Sequence, residues 1–268
     1  MSRASQARRI AATAAVGAVG GGGGAFGFLW AQSLLARRRV GDPRGEPFVV
    51  DGRYGSGVGP ALRMVALGDS AAAGLGADAP EHTIAVLVAQ GLAAASGRPV
   101  DLVSLAVVGA QTSHVRAQVA RALEAFGGPP PEIAVMMVGA NDVTHRVRPQ
   151  TSVRELREVV TSLREVGCEV VLGCCPDLGT IQPLPNPLRA IGRRLSRTLA
   201  AAQELVTQEA GGHAVLLGAV LGPEFASAPG EYFSEDRFHP SSVGYRRCAE
   251  ELLPAALEAL HLAPVETS

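Results

Sequence analysis

From Leu62 onward, short apolar runs alternate with longer stretches of helical period. The runs are Leu62 to Leu67, Val100 to Val107, Ile133 to Val138, Glu169 to Leu172 and Ala214 to Leu217. Between and after them lie helical patterns at about 83–95, 113–126, 152–166, 188–210 and 242–259. A strand that faces water on one side alternates polar and apolar residues, and these runs do not. They must be covered on both faces, and strand–helix alternation supplies the cover: a parallel sheet with helices above and below. Hydrophobic residues make up 47% of the chain, enough to fill two such layers.

Two segments interrupt the alternation. Pro176 to Pro187, "PDLGTIQPLPNP", carries four prolines, and Gly222 to Asp236, "GPEFASAPGEYFSED", holds Phe225, Tyr232 and Phe233. Both read as ordered loops, and long loops in a compact α/β domain commonly shape a binding site.

In open parallel sheets ligands bind at the carboxyl edge, and polar residues collect there in this chain. Ser70 follows the first run in "VALGDSAAAG", Gly109 the second in "AVVGAQT", and Asn141 the third in "VGAND"; Asp236 and His239 precede the last helical pattern in "DRFHPSSVGY". Taken singly, each has a plain reading as a turn, a cap or a solvated pair. Together they meet the demands of acyl transfer. A serine hydroxyl needs a base to take its proton, and imidazole, titrating near pH ~6.5, is suited to that task. The base needs a carboxylate on its other nitrogen, and Asp236 lies three residues before His239. Pro240 biases His239 toward extended backbone, so a short bend brings carboxylate and ring together. The oxyanion of the tetrahedral intermediate needs donors, for which the backbone N–H groups of Ser70 and Gly109 and the side-chain amide of Asn141 are candidates. The small residues Ala71, Ala72 and Ala73 leave room for a sharp turn and for an ester. The nucleophile elbow of ordinary α/β-hydrolases, Gly-x-Ser-x-Gly, fails here because Ala72 stands where the second glycine belongs.

Composition removes other classes. The formal net charge is -1, which gives no global field for nucleic acid. All 24 basic residues are Arg, a bias of composition rather than a set of phosphate contacts. No phosphate-binding Gly-x-x-x-x-Gly-Lys loop occurs, and the four cysteines lack metal-ligand spacing, so neither cofactor nor metal is called for. Cys174 and Cys175 end an apolar run as buried thiols; a disulfide at Cys168 or Cys248 stays open. His82, His114, His213 and His261 read as helix-end or surface residues. His145, four residues after Asn141, has both a surface position and the mouth of the site open to it.

Residues 10–36, "IAATAAVGAVGGGGGAFGFLWAQSLLA", carry no charge and are flanked by arginines. As a helix the segment would rise ~40 Å, enough to cross a hydrocarbon core of ~30 Å with tilt. The expectation is a membrane anchor, with a cleaved signal peptide and a secreted product as the alternative. The flanking charges are nearly balanced and leave the orientation open.

The ordered blocks Gly68-Asp69-Ser70, Gly109, Gly139-Ala140-Asn141-Asp142 and Asp236-Arg237-Phe238-His239-Pro240 resemble those of the SGNH hydrolases, the GDSL-type esterases and lipases. The resemblance runs from about Leu62 to Leu260. It implies a three-layer α/β/α, flavodoxin-like fold and metal-independent hydrolysis of carboxylic esters through a covalent acyl-enzyme. One departure is Ala71, where the family's name has Leu. Composition, together with the resemblance, divides the chain into a basic N-terminus at 1–9, a hydrophobic span or signal segment at 10–36, a linker at 37–60, a hydrolase domain at 61–262 and a tail at 263–268. Ser70, Asp236 and His239 would be the catalytic residues, with a small ester or lipid-like substrate; simple esters, lysophospholipids, thioesters and acetylated sugars all fit. The reading from a different class is a non-catalytic ligand-binding module on the same scaffold. Oligomeric state is not encoded in any feature of the sequence.

Overall fold

The computed structural model describes residues 45–263. The hydrophobic segment 10–36 lies outside them. Among the described residues no helix is long and apolar enough to cross a membrane.

A single six-stranded sheet forms the middle layer. Its strands are β1 (Gly52–Tyr54), β2 (Leu62–Gly68), β3 (Val100–Ser104), β4 (Ile133–Met137), β5 (Glu169–Gly173) and β6 (His213–Val215), in the order β1-β3-β2-β4-β5-β6. All neighbours are parallel except β1, which runs antiparallel to β3. The longer helices are α1 (Ile84–Ser96), α2 (Val115–Glu124), α4 (Pro149–Glu165), α5 (Leu188–Glu209) and α9 (Ser242–Ala259). Among the described residues the short helices are α3 (Ala140–Thr144), α6 (Leu217–Val220), α7 (Gly222–Ser227) and α8 (Pro229–Tyr232).

The period-2 geometry of the strands divides the core. From β2, Leu62, Met64 and Ala66 join the layer under α1 and α9, while Val65 and Leu67 join the one under α2, α4 and α5. On β4, Ile133, Val135 and Met137 face the first layer, and Ala134 and Met136 the second. This is the expected three-layer α/β/α arrangement.

The boundaries differ in several places, the first being the run expected to reach Val107, which leaves the sheet after Ser104. Segment 37–60, expected as a linker, contributes β1 from within its described part. Tyr54 pairs with Val100, Arg53 forms a two-point ion pair with Asp101 across the register (2.7 and 2.9 Å), and Val50 is buried in the core. Tertiary pairing overrides a Gly- and Arg-rich composition there. The segment expected as a loop at 222–236 is mostly helical, forming α7 and α8, each with Pro within its first two positions. The run expected to end at Leu217 leaves the sheet after Val215, and Leu217 opens α6. All four cysteines are buried as free thiols, so the disulfide considered for Cys168 or Cys248 does not form.

The chain crosses from β3 on one side of β2 to β4 on the other. That reversal opens a crevice at the carboxyl end of β2, between the loops that follow β3 and β4.

Candidate active site

The strand β2 ends at Gly68, whose φ of 127° is open to glycine and strained for other residues. A Cβ there would lie 1.9 Å from the Met137 carbonyl oxygen, so the backbones of β2 and β4 close together only over a bare Cα. Buried Gln118 of α2 then clamps the strand end: its Oε1 accepts the Gly68 N–H at 2.7 Å and its Nε2 donates to the Gly68 carbonyl at 2.8 Å. Beyond Gly68 the chain curls into a tight turn, with the N–H groups of Ala73 and Leu75 donating to the carbonyls of Asp69 and Ser70, both at 3.0 Å. Ser70 sits at the head of this turn, nearly buried at 8% exposure.

Asp236 and His239 are presented by the segment that leads into α9. Arg237 adopts a left-handed φ of 58° and bends the chain, and Phe233 bridges to Pro240 across the bend. Asp236 Oδ1 accepts hydrogen bonds from Ser234 Oγ (2.8 Å), the Phe238 N–H (2.8 Å) and the His239 N–H (2.9 Å). Its Oδ2 is 2.5 Å from His239 Nδ1. Burial alone would raise the Asp236 pKa, but the donors from His239 and Phe238 overcome it and bring the carboxyl down to about 2. The carboxylate therefore holds Nδ1–H, which leaves Nε2 as the acceptor. Nε2 lies 2.9 Å from Ser70 Oγ, across 169 residues of chain.

Asn141 sits in the first turn of α3. Its Nδ2 donates to the Ala110 carbonyl at 3.1 Å and lies 3.4 Å from Asp69 Oδ2. Gly139 before it has a φ of 133°, and a Cβ there would meet Cys175 Cβ at 2.9 Å. Gly109 stands in the exposed turn closed by the Ala110 N–H to the Val107 carbonyl, with a φ of 80°. The Asn141–Ala110 bond ties this turn to α3. The backbone N–H groups of Ser70 and Gly109 have no acceptor among the described residues. Ser70, Asn141 and His239 line one cavity of about 100 Å³; Gly109 is not in its wall. The cavity enters the layer between the sheet and α9, where Met137, Leu217, Leu221, Phe225 and Phe233 give it an apolar surface.

Cys174 and Cys248 also reach this cavity, but burial pushes both thiols up to about 12, so they hold no thiolate at neutral pH. His145 is exposed, with Nδ1 2.9 Å from the Asn141 carbonyl, and stays out of the cavity wall. His82 and His114 end short 3-10 turns, His213 opens β6, and His261 follows α9.

Two comparisons with known proteins name the same family. The model of the GDSL-like lipase/acylhydrolase family matches residues 66–247. The chain is 38% identical over 246 residues to the GDSL-like esterase Rv1075c of Mycobacterium tuberculosis, covering 88% of this chain and 78% of that protein. This chain belongs to the GDSL-like lipase/acylhydrolase family. It is accordingly a carboxylic ester hydrolase. Solved structures of the same fold include the lipase Lip_vut3 from a goat rumen metagenome (TM-score 0.61, 20% identity, 73% of this chain and 97% of that one). Another is TesA (TM-score 0.59, 20% identity, 74% and 99%). The acetylxylan esterase Axe2 of Geobacillus stearothermophilus is a third, as a catalytic mutant (TM-score 0.55, 17% identity, 80% and 100%).

Several residues that build the site carry no motif. Gln118 and Gln203 are polar side chains at buried positions of amphipathic helices. Gln203 of α5 repeats the clamp one strand over, accepting the Cys175 N–H at 2.7 Å and donating to the Val138 carbonyl at 3.0 Å. A glutamine on the apolar face of a helix was the available signal.

Proposed function

We propose that this hydrolase is a serine esterase working through a covalent acyl-enzyme, with Ser70 as nucleophile, His239 as general base and acid, and Asp236 as the orienting carboxylate. The reading rests on one observation: the unbroken relay from Asp236 Oδ2 through His239 to Ser70 Oγ, at 2.5 and 2.9 Å, opening on an apolar cavity. Ser70 Oγ attacks the ester carbonyl while His239 Nε2 takes its proton, and Asp236 stabilises the imidazolium that forms. The unclaimed N–H groups of Ser70 and Gly109, with the Asn141 amide, receive the oxyanion. The alcohol leaves with the proton from His239, and water deacylates Ser70 by the same route in reverse. The residues of this relay supply every proton transfer the cycle needs.

The cavity walls favour an aliphatic acyl chain over a bare acetyl group. The domain so read spans 61–262 with β1 added at its edge. Residues 10–36 would tether it to a membrane.

The test is covalent labelling with a fluorophosphonate followed by an ester series. Ser70 should carry the adduct, and Ser70→Ala should lose both label and turnover while melting normally. Turnover should favour butyrate to octanoate esters over acetate, and Leu221→Trp should reverse that preference by ~10-fold or more by filling the cavity. Labelling at another serine, or turnover that survives in Ser70→Ala, would overturn the assignment.

A further inference from the structure

Asp69 stands between the nucleophile and the Asn141 donor, and the relay just described does not use it. Its side chain is buried. Oδ1 accepts the Ala71 N–H at 2.9 Å, and Oδ2 lies 3.4 Å from Asn141 Nδ2. Asn141 has two amide hydrogens. The Ala110 carbonyl, at 3.1 Å, takes one. The second meets Asp69 Oδ2 in a long hydrogen bond of 3.4 Å, weak enough to be given up to a stronger acceptor.

We propose that Asp69 is a positioning residue for ester hydrolysis: its carboxylate, bonded through one oxygen to the turn that carries Ser70, uses the other to hold the Asn141 amide beside the nucleophile until the oxyanion takes over that hydrogen. This rests on the acyl-transfer reading of the site.

The electrostatic surroundings fit a residue kept for its two acceptor oxygens and not for stability. Burial raises the Asp69 pKa to about 6. The Ala71 N–H, His239 and Asn141 act against that rise, and Asp142 of α3 adds to it. The other titratable groups that feel its charge are Cys175 after β5 and Tyr245 on α9, both held neutral by burial. Because the folded value lies above the ordinary 3.8, ionising Asp69 costs folding free energy; the cost begins above pH ~4 and is complete above about 6.

Asparagine has one acceptor oxygen where aspartate has two, so Asp69→Asn can serve Ala71 or Asn141 and not both. Its kcat should fall ~10–100-fold with KM changed by less than about threefold. Its melting temperature should equal or exceed that of the parent at pH 8, and the advantage should vanish near pH 4. In a double-mutant cycle, Asn141→Ala alone should lower kcat ~10²–10³-fold. Asp69→Asn added to Asn141→Ala should cost no more than about threefold further, since the group it holds is gone. If Asp69→Asn does not fold, Asp69→Ser takes its place in the cycle, keeping an acceptor for Ala71 and withdrawing from Asn141. Effects that multiply in the double variant, or an unchanged kcat with a lower melting temperature, would overturn the proposal. Fluorophosphonate labelling of the parent separates the two readings: without it the esterase mechanism fails, whereas label with a multiplicative cycle removes Asp69 alone.

Discussion

At the scale of single residues, Asp236 is the most heavily engaged side chain of the site. It accepts four hydrogen bonds, all from the bend it sits in: one from a serine hydroxyl, two from backbone N–H groups and one from the imidazole. Asp236→Asn keeps the size and removes the charge and one acceptor. The expected result is a folded protein whose kcat is ~10³–10⁴-fold lower, because the amide can neither fix the Nδ1–H tautomer nor balance the imidazolium. A second signature lies in stability. Asp236 titrates near 2 when folded against an ordinary 3.8, so its contribution is present above pH ~4 and is lost as pH falls toward 2. Melting curves of the asparagine variant should lack that part of the acid dependence, and near-parental turnover would leave Asp236 a structural role only. The blocks around Ser70 and Asn141 were legible in the sequence because each stands at the end of an apolar run, where chain direction alone predicts the edge of the sheet; the Asp-x-x-His bend was legible from its spacing and from the proline that follows it, ahead of the last helical pattern. Asp69 was not legible as more than a turn residue, since its role depends on which side chain comes to face it from α3.

Among the elements, the two glutamine clamps decide how well the strand ends are fixed. Gln118 serves β2 where it gives way to the Ser70 turn, and Gln203 serves the ends of β4 and β5, beside Gly139 and the start of α3. Gln203→Leu keeps the bulk and leaves the Cys175 N–H and the Val138 carbonyl without their partner. Each buried group left unmet costs ~1–3 kcal/mol, so the variant should lose about 2–4 kcal/mol in denaturant unfolding, and kcat should fall with it as α3 shifts. Unaltered stability would mean the strand ends find other donors. Sequence period located α5 and α9 almost to the residue, because their apolar faces are long and regular. It missed β1 and the helices α7 and α8. A three-residue edge strand and four- or six-residue helices are too short for a period to emerge, and what holds them, an Arg53–Asp101 pair or the stacking of Phe225 on Tyr232, is tertiary.

For the molecule as a whole, the proposed tether sets where substrates are met. The chain with residues 10–36 should sediment with membranes, and one beginning a few residues before Val50, so that β1 is kept, should be soluble with kcat on a soluble ester within a factor of about two. The longer chain staying in the supernatant with its N-terminus intact would remove the anchor. The hydrolase itself has a further property set by chain order. Its proposed nucleophile follows the first parallel strand and its proposed base lies in the bend before α9, 169 residues later. On the proposed relay, a chain emerging from the ribosome therefore carries an inert serine until the final helix has left the exit tunnel and docked. On that reading, a polypeptide cut short before His239 by a stalled or truncated message keeps a serine without its base.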